Sequence, residues 1–150
     1  MEKILDEIKM AEKGSDIYSL IEEVVRKVHE KEPNNTDKDN WFEAQRRINR
    51  FLIEDKLAER ILSTYPEKDY DSCLEEARKT LNKVDLDNEY LNNIVYEGIS
   101  PESIIKCNLK YYSNQFYLHR KNQTDSSSLE KKFEDWKKSL DCVADNISLY

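Results

Sequence analysis

The sequence predicts an all-α protein, a single-domain bundle of six or seven helices around a long central helix at about 39–65. Three observations carry this. Apolar residues recur at steps of three and four, the period of one helix face, through most of the chain. Only two Gly and three Pro occur in 150 residues, too few for the many turns of a sandwich or barrel. Residues favoured at helix starts and stops fall where those apolar periods begin and end.

Residues 1–13 read as a first helix with Ile4, Ile8 and Ala11 inward, stopped by Gly14, which tolerates a left-handed terminal conformation. Ser15 or Asp16 caps a second helix, on which Ile17, Leu20, Ile21, Val24, Val25 and Val28 form one stripe. Pro33 to Asp37 is a turn. The central helix, DNWFEAQRRINRFLIEDKLAERILSTY, starts at a cap on Asp39 or Asn40 and cannot continue past Pro66. One of its faces carries Trp41, Ala44, Ile48, Phe51, Leu52, Ala58, Leu62 and Tyr65. A second stripe carries Phe42, Ile53, Leu57 and Ile61. A helix apolar on two faces has neighbours on two sides.

A fourth helix is expected from about Asp71 to Val84, burying Cys73 or Leu74, Ala77, Leu81 and Val84. Asp87 caps a short fifth helix that Gly98 ends. Ser100 and Pro101 then make the sharpest start signal in the chain, a cap followed by Pro at the first helical position, for a helix running to about Lys121. Residues 122–128, NQTDSSS, read as a mobile Ser-rich loop. Ser127 and Glu130 form a capping box for a last helix striped with Leu129, Phe133, Trp136, Leu140, Val143 and Ile147.

Composition excludes several classes. The chain is 37% charged and only 38% apolar, yet nine Tyr, four Phe and two Trp set it apart from disordered sequences. A net charge of −7 disfavours indiscriminate binding to nucleic acid or anionic lipid. The start, MEKILDEIKMAEK, is charged every few residues and is neither a signal peptide nor a membrane span, so the protein is expected in the cytoplasm with no membrane partner. Cys73, Cys107 and Cys142 form no close pair and read as reduced thiols, the first two buried and the third exposed. Two Gly cannot build a phosphate cradle or a nucleophile elbow. The only histidines, His29 and His119, follow Arg26 and Phe116 by three residues, so the Glu-x-x-His pairs of a di-iron bundle are missing. The expectation is a protein that is not an enzyme and has neither metal nor cofactor.

Two surfaces remain. Phe42, Arg46, Arg50 and Ile53 mark the second stripe of the central helix with the aromatic, Arg and aliphatic mix that interface cores favour. They are the expected contact residues of a small protein-binding module: a regulator, adaptor or inhibitor of another protein, of viral, phage or immunity type among others. A homodimer through the Phe42 face is a further expectation. The alternative is RNA or single-stranded nucleic acid, bound through a helix at 104–121 where Lys106, Lys110, Arg120 and Lys121 interleave with Tyr111 and Tyr117.

From Ile17 to Ile48 the chain resembles a family of short uncharacterised bacterial domains. These have a helix, a polar turn and a Trp-containing helix opening like Trp41-Phe42-Glu43-Ala44-Gln45. The turn here lacks the glycine of that family. The resemblance implies a helical hairpin and brings no activity with it.

Overall fold

A computed structural model describes residues 2–11, 14–84, 117–118, 126–145 and 147. Among the described residues there are five helices and no strand. They are α1 (Glu2–Met10), α2 (Gly14–Lys31), α3 (Asp37–Thr64), α4 (Tyr70–Leu81) and α5 (Ser126–Asp145). The helices expected over 87–98 and 100–121 lie outside the described residues, apart from a helical Tyr117–Leu118. So does most of the loop expected at 122–128, whose last three residues belong to α5.

The 28-residue α3 packs against each of the other four described helices. Its two apolar stripes are in large part buried. Trp41, Ala44, Ile48 and Ala58 of the first are fully buried, as are Ile53 and Leu57 of the second, while Ile61 is nearly so. The core continues through Ile8 of α1, the stripe of α2, Cys73, Ala77 and Leu81 of α4, and Phe133, Trp136, Leu140 and Val143 of α5.

Several boundaries differ from expectation for local reasons. Thr36, not Asp39 or Asn40, caps α3: its Oγ1 accepts from Asp39 N–H at 3.1 Å, so the helix starts two residues early. Asn40 is thereby released into the interior, with Nδ2 lying 3.0 Å from His29 Nδ1 on α2. Gly14 opens α2 instead of closing α1. Asp69 caps α4, accepting from Ser72 N–H at 2.7 Å, and that hydrogen bond lowers its carboxyl pKa. Tyr65, expected inward, is exposed just past the last turn of α3.

Cysteine chemistry also departs from the sequence reading. Cys73 is a free, buried thiol, but Cys142 is half-buried and disulfide-bonded, not an exposed reduced thiol. Spacing along the chain carries no information about such pairing. No described helix is long and apolar enough to cross a membrane.

Candidate functional site

Phe42, Arg46 and Arg50 are four residues apart on α3 and so stand in one column. Phe42 is half-buried, its ring centroid 5.9 Å from that of Tyr117 and beneath the Lys38 ammonium, also at 5.9 Å. Arg46 is the most open of the three, with 65% of its side chain exposed. Ile53, the fourth expected contact residue, is fully buried and belongs to the core. Beside it, Arg78 and the residue closing α4, Asn82, reach α3 at Glu54 and Arg50.

Ion pairing along this column is uneven. Arg46 Nη1 lies 3.3 Å from Glu43 Oε2, and Arg47 Nε donates to Glu43 Oε1 at 3.0 Å. One turn on, Arg50 Nε donates to Glu54 Oε1 at 3.0 Å and its Nη2 to Asn82 Oδ1 at 2.5 Å. Arg78 Nε donates to the other oxygen, Glu54 Oε2, at 3.2 Å. Four arginines therefore share two carboxylates. Glu54 is nearly buried beneath its pair, whereas the Arg50 and Arg78 side chains remain 38% and 53% exposed. Sequence reading found Arg46 and Arg50 but missed Arg78. In the last turn of α4 that residue looks like an ordinary complement to the helix dipole, and nothing local announces a carboxylate 24 residues upstream.

The nucleic-acid alternative is represented by one described residue. Lys106, Lys110, Tyr111, Arg120 and Lys121 lie outside the described residues. Tyr117 is half-buried, its ring centroid 6.4 Å from that of Trp41 and 5.9 Å from that of Phe42, both pairs tilted.

A second feature is a cleft of about 340 Å³ between α1, α3 and α5, lined by Ile8, Lys9, Leu52, Asp55, Phe133 and Trp136 among others. Two of the charged groups in it, Lys9 and Asp55, are paired. Lys9 Nζ lies 2.9 Å from Asp55 Oδ1, the same oxygen that accepts from the Tyr70 hydroxyl. Burial, and then the bond to this carboxylate, push the Tyr70 hydroxyl up to about pKa 12. The same carboxylate holds Lys9 above the ordinary lysine range. This triad joins α1, α3 and α4. Among the described residues no group of three His, Cys, Asp or Glu side chains is placed to hold a metal ion.

Comparison with protein-family models, curated proteins and solved structures found no match. Function is thus to be read from the geometry of the α3 column and its surroundings.

Proposed function

We propose that this protein is a small protein-binding module, a regulator, adaptor or inhibitor, that engages its partner through the Phe42–Arg46–Arg50 column as extended onto α4 by Arg78. The observation that supports this reading is the exposed Arg46, flanked in one column by the half-buried Phe42 and Arg50. Over Phe42 and Arg46 it offers an aromatic edge beside open guanidinium groups, the residue types in which binding energy concentrates. A two-fold homodimer on the same column would set arginines against arginines, a like-charge contact that costs association energy. That cost favours a partner other than a second copy of the chain.

The test is a pull-down from a lysate of the source organism, run with nuclease, comparing the native chain with Arg46→Glu. Arg46 is exposed and, among the described residues, pairs within its own helix, so the substitution leaves the core alone. A stoichiometric protein captured by the native chain and lost with Arg46→Glu is expected. Equal capture by both chains, or partners that vanish with nuclease, would sink the reading.

A further inference from the structure

We propose that the Arg50–Glu54–Arg78 cluster is an anion-receiving site that takes carboxylate side chains from an acidic segment of the partner protein. The inference rests on the protein-binding reading and specifies the chemistry of what is bound.

The argument begins from a contrast in stoichiometry. Elsewhere among the described ion pairs, cations and carboxylates match one to one. Lys9 meets Asp55, Lys56 meets Asp141, Arg60 meets Asp145, Lys68 meets Glu76 and Lys79 meets Glu75. Along the α3 column each carboxylate carries two guanidinium groups, Glu43 holding Arg46 and Arg47, and Glu54 holding Arg50 and Arg78. An ion pair that serves only to join two helices needs one cation per anion. The second leaves a positive surplus, here on a molecule whose net charge is −7.

The surplus is also held in place. Glu54 lies beneath the surface with both oxygens occupied, one by each arginine. Asn82 fixes a further nitrogen of Arg50 at 2.5 Å. Two guanidinium groups anchored from below keep N–H donors for a ligand above. Arg78 uses only its Nε–H among the described contacts. The planar fork of arginine matches a carboxylate with two parallel hydrogen bonds. Ordering these long side chains before binding removes an entropic cost the complex would otherwise bear. With Arg46 and Arg47 one turn back along α3, the arrangement repeats at a helical interval, fitting several acidic residues of an extended or helical segment better than a single small anion.

The experiment uses the full chain and a fluorescein-labelled decapeptide of alternating Glu and Ala, read by fluorescence anisotropy at low and moderate salt. Binding that weakens as salt rises is expected. Arg50→Gln and Arg78→Lys should each reduce affinity by about tenfold or more. Arg78→Lys preserves charge but loses the fork, so its effect separates shaped recognition from mere attraction. Neither variant strips Glu54 of both cations, and a thermal melt checks that each stays folded. Arg60→Gln removes the same charge from a one-to-one pair elsewhere on α3 and should leave affinity unchanged. No binding to the peptide, equal losses in all variants, or tighter binding of a single-stranded RNA of equal charge would overturn the inference. If the peptide fails while an Arg46-dependent protein partner is captured from lysate, the acidic-segment inference falls and the module reading stands.

Discussion

Gln45 places a complete primary amide in the interior, fully buried, with neither its oxygen nor its nitrogen hydrogen-bonded among the described residues. An unmet buried polar group costs about 1–3 kcal/mol. Gln45→Met keeps similar length and removes both polar atoms, so a thermal melt should show equal or greater stability, by up to about 2 kcal/mol. Asn49, one turn further along, makes the opposite case. Its Oδ1 accepts from the Trp136 indole N–H at 2.7 Å, linking α3 to α5 inside the core. Asn49→Ala removes that acceptor and should destabilise by about 1–3 kcal/mol. The two residues look alike in sequence, polar positions on the same helix. Which of them finds a partner depends on Trp136, 87 residues away, and so was illegible from spacing.

At the scale of elements, α3 decides most of the architecture. Its periodic apolar residues were legible as two stripes, and the turn before it and Pro66 after it bounded it to within two residues. The fate of the second stripe was not legible, because periodicity reports which residues share a face and not what covers the face. Phe42 lies where the column is partly open, whereas Ile53 is fully buried. Ile53→Ala should therefore cost about 2–5 kcal/mol in a denaturant melt, as a core truncation does, with wild-type-like stability counting against its burial. The cap was misread for a different reason. Thr36, Asp37, Asp39 and Asn40 are all acceptable capping types, and only the backbone extension at Thr36 selects among them. Thr36→Ala should lower stability by about 1 kcal/mol.

At the scale of the whole molecule, a net charge of −7 coexists with one column on which two carboxylates hold four arginines. The Lys9–Asp55–Tyr70 triad adds a pH dependence. The folded state raises Tyr70 from an ordinary 10 to about 12 and also raises Lys9 above 10.5, so it binds both protons more tightly than the unfolded chain. The resulting stability is present in full below about pH 10 and is lost as pH climbs through about 12. Denaturant midpoints measured between those limits should fall steadily, and more shallowly for Tyr70→Phe, which has no hydroxyl to ionise.

The position of α3 has a consequence for how the molecule opens. A helix in contact with every other described helix cannot lose its amide protection while the bundle stands, so its central amides should exchange with solvent only when the whole structure unfolds. The short α1, nine residues packed on α2 and α3, can detach in a local fluctuation and exchange sooner. The proposed binding column is thus mounted on the least labile of the described helices. A partner would meet a surface that is already formed, with little left to order on contact.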